Sequence, residues 1–402
     1  MLFETALDAV DGRHLVNQWY RDNKQKLSQQ RPHTHCVAIG KAAAPMLQGA
    51  LDVFPGIKNS LLITLQSKIT RQLKKNKQVI CQASAHPIPD ETSLAAGEYL
   101  LQFVAKLGQD DKILFLISGG SSSLVEVPVD GIDLEALQKI NRYLLASGKD
   151  IYQINSWRQK FSKIKGGGLL NFLKTPANTQ LLLSDVKGDK IEFIGSGLLI
   201  DSEVQPLADD YLSKLAILPS TQQTRSVATK VDTFVIGNVN LAKQAVSVAA
   251  QAEDLDSFVY DEFLEGDAQQ LAKRLFIQLK NAKPGVHIWG GEPTVSLPGK
   301  PGIGGRNQTL ALAFAQYIAE TPDFHFLSAG TDGVDGNSNC AGAVVSMFTA
   351  KKAKSMGFDI EQELIKANAG VLLMATDDLV SAASNTNVMD IVIAYKSNKS
   401  FD

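Results

Sequence analysis

The chain has 402 residues and a formal charge of −2, from 40 basic and 42 acidic side chains. That balance excludes a nucleic-acid binder working through a broad basic face, though not a local basic pocket. With 44% hydrophobic and 20% charged residues, the chain can build large cores and is not disordered; at roughly 150 residues per domain it makes two domains or three. Cys36, Cys81 and Cys340 lie far apart, with neither zinc spacing nor a disulfide framework, so a reducing cytoplasm is the default compartment. The start, Met1-Leu2-Phe3-Glu4, has no basic stretch of a signal peptide. No apolar run approaches the ~20 residues of a membrane span.

Short apolar, β-branched runs predict strands, in chain order, at Cys36–Ile39, Leu61–Thr64, Val79–Cys81, Ile113–Ile117, Leu181–Leu183, Phe234–Ile236, Val286–Trp289, Phe324–Leu327, Ala343–Ser346 and Ile391–Ala394. Helical spacing falls between them. Asp90–Leu107 is one such stretch, stopped by Gly108. In Asp267–Lys280, Leu271, Leu275 and Leu279 recur at i, i+4, i+8 behind a capping Asp267, and Leu310, Phe314 and Ile318 repeat the spacing. The alternation predicts an α/β fold with a largely parallel sheet. The polar stretch Pro219–Thr224 suggests a boundary between two α/β domains, 1–222 and 223–402.

Six expected strands end in small or polar residues. Ile39 precedes Gly40-Lys41, Ile117 precedes Ser118-Gly119-Gly120-Ser121-Ser122-Ser123, and Leu183 precedes Ser184-Asp185. Ile236 precedes Gly237-Asn238, Trp289 precedes Gly290-Gly291-Glu292, and Leu327 precedes Ser328-Ala329-Gly330-Thr331-Asp332. Ligands bind at the carboxyl ends of strands in parallel α/β sheets. Any one such turn is adequately explained as a strand-to-helix connection; six from both halves point to a site in an interdomain cleft. Glycine agrees. Of 31, ten lie in 118–197 and eleven in 285–342, whereas 198–284 holds only Gly237 and Gly266. Clustered glycine marks tight backbone, often where a ligand approaches.

The chemistry at these turns stays open on residue types alone. Ser118–Ser123 suits an anion at exposed backbone N–H groups, or is a capped turn. Arg158, Lys160, Lys163 and Lys165, beside Gly166-Gly167-Gly168, suit a polyphosphate or form a solvated basic face. Asp185 and Asp189 could hold Mg²⁺ with substrate phosphates, orient a hydroxyl nucleophile, or cap a turn. Arg306, in Gly304-Gly305-Arg306-Asn307, could clamp a carboxylate or phosphate. Asp332 and Asp335 are second-site acids or turn caps. No Walker A loop, dinucleotide fingerprint or complete EF-hand loop is present, and no Ser/His/Asp set can be assembled.

Taken in order, these blocks resemble the class II glycerate kinases, with an N-terminal glycerate kinase domain and a C-terminal MOFRL domain. The matching strings are Ala38-Ile39-Gly40-Lys41-Ala42-Ala43, His86-Pro87-Ile88-Pro89-Asp90, Ser118-Gly119-Gly120-Ser121-Ser122, Asn155 through Gly167, and Ser184-Asp185-Val186 with Gly188-Asp189. They continue with Gly291-Glu292, Thr294-Val295, Gly304-Gly305-Arg306-Asn307-Gln308, and Thr331-Asp332-Gly333-Val334-Asp335-Gly336. The resemblance implies ATP- and Mg²⁺-dependent phosphorylation of D-glycerate at the 2-hydroxyl, by a Rossmann-like N-terminal domain and a smaller C-terminal α/β domain. It implies that Lys41 and Arg306 face the active site. Lys41, Arg306 and Asp189 are then the expected catalytic residues. Ser118, Gly119, Gly120, Ser121, Ser122, Asn155, Arg158, Lys165, Asn307 and Asp332 are expected to bind substrate or phosphate, and Asp185 and Asp189 the metal. Nucleotide and D-glycerate are the expected partners, with no nucleic acid and no membrane; the oligomeric state is left open, a homodimer included. The chain departs from the family pattern at Gly168 (usually Arg), Leu198 (Pro), Thr309 (Glu) and Ala382–Asn385 (a glycine-containing run). Two alternatives are an NAD(P)H-dependent hydroxypyruvate reductase, a label attached to relatives, and a non-catalytic nucleotide or sugar-acid binder.

Overall fold

The computed structural model describes residues 1–147, 151–201, 208–215, 229–319 and 324–397. The chain forms two compact units, Gly12–Gly237 and Met1–Asp11 with Asn238–Asp402. In the first unit, β1 (His35–Ile39), β2 (Asn59–Thr64), β3 (Val79–Ala83), β4 (Ile113–Ile117), β5 (Ala177–Leu183) and β6 (Lys230–Gly237) form one parallel sheet. Their order is β3-β2-β1-β4-β5-β6. Both β1 and β4 are buried at every position, as expected of strands covered on both faces. Because β1 has β2 on one side and β4 on the other, the winding reverses between β1 and β4, and their carboxyl ends frame a crevice of the kind that binds ligands in such sheets.

Local chemistry sets the helix bounds. Asp90 accepts hydrogen bonds from the N–H groups of Thr92 and Ser93, and the Asp90 N–H donates to Ser93 Oγ, so a capping box opens helix Glu91–Ala105. Ala96, Leu100, Phe103 and Val104 on that helix join a core with Ile39, Phe115 and Ile117.

The second unit also has six strands: β7 (Ser257–Asp267), β8 (Gly285–Thr294), β9 (Phe324–Gly330), β10 (Gly342–Ser346), β11 (Leu379–Val380) and β12 (Asp390–Lys396). Their order is β11-β10-β9-β12-β8-β7, and only β7 and β8 run parallel. The sheet is mixed because β9 and β10 are joined by 331–341, a helix-free connection too short for a parallel crossover. All ten strands expected from the sequence are present. β7 and β11 were not expected: β7 is an edge strand interrupted by Asp261, Glu262 and Glu265, with a register shift between Val259 and Phe263. Helix Arg306–Tyr317 is buried from Asn307 through Ala315, so its apolar face closes all round. Phe314 stacks on Phe326 of β9 with ring centroids 3.9 Å apart.

The expected domain break at 222/223 falls in 216–228, outside the described residues. The first unit continues through β6, which pairs with β5. Helix Leu2–Ala9 belongs to the second unit, where it packs against helix Val239–Ala252 and buries Phe3, Ala6 and Leu7. Among the described residues, no helix is long and apolar enough to cross a membrane. Replacing Phe314 by Ala removes the ring from a closed core and should cost the second unit about 3–5 kcal/mol, read as a shift of its urea midpoint.

Candidate active site

At the crevice of the first sheet, the ends of β1 and β4 are bonded to each other. Ser118 N–H donates to Ile39 O (3.0 Å), Lys41 N–H to Gly119 O (2.9 Å), and Ala42 N–H to Ser118 Oγ (3.0 Å). Gly40 has φ +131°, and a Cβ on it would lie 2.2 Å from Ser118 Oγ and 2.5 Å from Ser118 O; no side chain fits there. A Cβ on Gly120 would lie 3.1 Å from both Lys41 Cγ and His86 Cδ2. Lys41, His86 and Gly120 therefore meet, although 34 residues separate Gly120 from His86 in the chain (120 − 86).

The serines of this turn divide by role. Ser118 is fully buried and holds the 40–42 turn. Ser121 is also buried, and its Oγ has no hydrogen-bond partner among the described residues. Ser122 Oγ lies 2.5 Å from Ser196 Oγ, which donates to Asn155 Oδ1 (3.0 Å). Asn155, expected at a phosphate, is thus buried and anchors the serine turn through Ser196. Asp185 and Asp189 follow β5, the next strand along, and are half-buried. Among the described residues no three of His, Cys, Asp and Glu converge as a metal site. A Mg²⁺ ion carried by substrate phosphates needs only one or two protein carboxylates, a demand that this pair fits.

Lys165, expected at a phosphate, is sealed from solvent. Its Nζ forms a short ion pair with Glu126, and both side chains are 2% exposed. Glu126 also accepts from Ser162 Oγ (2.6 Å) and from Val127 N–H (3.0 Å). Burial pulls the Lys165 ammonium below its ordinary pKa, against the opposing pull of Glu126. Lys165 is therefore tied by a buried ion pair to Glu126, which itself accepts from Val127 N–H and Ser162 Oγ. Arg158 donates from Nε to Asn141 Oδ1 (3.1 Å), and burial lowers its pKa as well.

In the second unit, Arg306 opens its helix beside the ends of β8 and β12. Asp390 takes Nε (2.6 Å) and Nη2 (3.1 Å) as a bidentate pair, and Glu292 takes Nη1 (2.7 Å). Burial opposes the guanidinium charge, but the two carboxylates outweigh it and raise the Arg306 pKa. Burial also raises that of Asp390, partly offset by Arg306. The Asp390 side chain is 3% exposed and that of Glu292 50% exposed. Breaking a buried pair like the first costs about 3–5 kcal/mol, whereas a half-exposed contact like the second contributes about 0–1 kcal/mol.

Asp335 caps the same helix, accepting from Asn307 N–H (3.0 Å) and Gln308 N–H (2.8 Å). Asn307 in turn accepts from Ser328 Oγ (2.6 Å). Asn307 is thus 1% exposed and committed inside the unit. Asp332 accepts from Val334 N–H (3.1 Å) within its own turn.

The comparisons with known proteins cover nearly the whole chain. Residues 1–233 match a domain of unknown function (DUF4147), and 285–390 match the MOFRL family. The D-glycerate 2-kinase of Thermotoga maritima is 32% identical over 89% of this chain and 89% of its own. The chain belongs to the glycerate kinase family with a C-terminal MOFRL domain. A Pyrococcus horikoshii glycerate 2-kinase is 30% identical over 91% of this chain and 88% of its own. A putative hydroxypyruvate reductase of Agrobacterium vitis is 31% identical over 89% and 98%. The crystal structure of the Thermotoga maritima glycerate kinase superposes with a TM-score of 0.82 at 29% identity, covering 98% of both chains.

Three departures from the glycerate kinase pattern carry steric or bonding features. A Cβ on Gly168 would lie 2.3 Å from Lys163 O, so the family's usual arginine has no room. Thr309, where the family usually has glutamate, is buried and donates back to Gly305 O (2.8 Å). Where the family has its glycine-containing run, Ser384 Oγ donates to Thr331 O and ties that loop to the end of β9. Nothing in the structure explains Leu198. Sequence reasoning missed Glu126 and Asp390. An acid inside Leu124-Val125-Glu126-Val127 and one opening the strand Ile391–Ala394 were the signals available.

Lys165→Met should strand the Glu126 charge and cost about 3–5 kcal/mol in urea unfolding. Adding Glu126→Gln, which keeps an acceptor for Ser162, should recover more than half of that loss. Burial raises the Asp335 pKa from 3.8 to about 6, against the N–H groups of Gln308 and Asn307. Its contribution to stability is therefore full below pH 3.8 and lost as pH rises through about 6. Asp335→Asn should flatten this part of the stability profile, measured as urea midpoints across that range.

Proposed function

We propose that this protein phosphorylates D-glycerate to 2-phosphoglycerate, using ATP and Mg²⁺. The observation that carries the reading is Lys41. It stands at the switch point of a parallel sheet, beside Gly120, in a chain 32% identical to a D-glycerate 2-kinase. Phosphoryl transfer needs charge neutralisation and in-line positioning more than covalent chemistry. Lys41 supplies a positive charge for the transferring phosphate or the substrate carboxylate. The Ser118–Ser122 turn receives phosphate oxygens at its backbone: a Cβ would crowd Gly120, and the buried Ser121 Oγ is orphaned among the described residues. Asn155 acts one step behind, through Ser196. Asp185 or Asp189 holds the metal or orients the 2-hydroxyl for attack. Mg²⁺, when bound, neutralises phosphate charge. Arg306 meets an oxyanion of the substrate, with Asp390 fixing its plane.

Hydroxypyruvate reduction has one observation in its favour. The first sheet has the strand order of dinucleotide-binding folds. Against it, the β1 turn reads Gly40-Lys41-Ala42-Ala43-Ala44-Pro45: it lacks the second glycine, which lets a pyrophosphate approach the backbone, and the third, which lets helix and strand pack closely.

Incubation with ATP, Mg²⁺ and D-glycerate, with mass spectrometry of the product, tests the kinase reading beside an NADH-oxidation assay on hydroxypyruvate. Phosphoglycerate is the expected product. NADH loss without phosphoglycerate would replace the reading with the reductase. Lys41→Ala should lower kcat/KM by about 10²–10³ with an unchanged thermal midpoint.

A further inference from the structure

Arg306 is held by two carboxylates of unequal commitment. Asp390 is buried at the start of β12, where its backbone is in register with Gly291 of β8 and Gly330 of β9, and it grips two nitrogens of the guanidinium. It cannot leave without stranding a buried charge. Glu292 contacts only Nη1, from the end of β8, and half of its side chain is in solvent. Asp390 commits Nε and one Nη2 proton, so an oxyanion that binds Arg306 through the Nη1 proton held by Glu292 competes with a half-exposed carboxylate.

We infer that Glu292 is an exchangeable counter-ion of Arg306, occupying the place of a substrate oxyanion and displaced when a carboxylate or phosphate binds. The glycerate kinase reading names that anion as the glycerate carboxylate or the transferring phosphate, and the inference rests on that reading for the identity. Two consequences follow from the geometry. Arg306 keeps a counter-ion at every stage, and the bidentate Asp390 sets its plane before substrate arrives. Affinity for the anion is reduced by the competition, so Glu292 acts as a specificity-determining residue that selects for ligands able to outbid a carboxylate at Nη1.

The test is Glu292→Gln, with Glu292→Ala as a second variant, in the full chain. Isothermal titration with D-glycerate and, separately, with inorganic phosphate should show tighter binding than in the unsubstituted protein. The gain expected is about 5-fold, the factor equivalent to ~1 kcal/mol. In turnover assays KM for D-glycerate should fall by a similar factor while kcat changes by less than about twofold. The gain should vanish when Arg306→Lys, which loses the fork geometry, is added. A gain with D-glycerate alone assigns the carboxylate, and a gain with phosphate alone assigns the phosphoryl group. Unchanged or weaker binding of both anions overturns the inference, as does a fall in kcat with KM unmoved or no anion binding by any variant. The titrations need no turnover. Absence of phosphoglycerate would therefore count against the kinase reading while leaving a binding gain intact as evidence for the exchange.

Discussion

The ends of β1 and β4 approach each other so closely that a single methyl group at Gly40 would collide with Ser118. That contact has consequences along the chain in both directions. It lets Ala42 N–H reach the Ser118 hydroxyl and Lys41 N–H reach Gly119 O, which directs the Lys41 side chain toward Gly120. It also holds the serine turn in one register, so that Ser122 can meet Ser196 and, through it, Asn155. Strand order places this turn at the crevice of the sheet, and glycine at position 40 lets the two strand ends close on each other there.

Charge is handled in the two units by one device. In each unit a buried acid is set against one cation: Glu126 against Lys165 and Asp390 against Arg306. Such pairs are weak sources of net stability, because desolvation offsets much of the attraction, but they are costly to break. They therefore act chiefly as placement. Glu126 ties Lys165 to Val127 N–H and Ser162 Oγ, and Asp390 fixes the guanidinium at the mouth of its helix. Asp335 serves the same helix from its N-terminus, where its carboxylate satisfies two backbone N–H groups that would otherwise be orphaned.

The helix at Asp90, the cap at Asp267 and all ten apolar strands were legible in the sequence, since each depends on neighbours within a few residues. β7 was not, because Asp261, Glu262 and Glu265 break its apolar run and only an edge position tolerates them. The mixed order of the second sheet was not legible either. Strand direction depends on which strands pair, and β12 inserts between β8 and β9 from far along the chain. Helix Leu2–Ala9 has readable amphipathic spacing, yet nothing local says that its apolar face is covered by Val239–Ala252.

The sequence by itself determined the family, the positions of the glycine-rich turns, and the list of cations and acids to consider. It could not rank that list, because the partners that decide it are remote: Glu126 is 39 residues from Lys165, and Asp390 is 84 residues from Arg306. Only the tertiary structure separated a lysine sealed against a buried acid from one beside the turn at the switch point. The physical reason is that a charged side chain's availability is set by burial and by the nearest opposite charge, and neither is a property of its place in the chain.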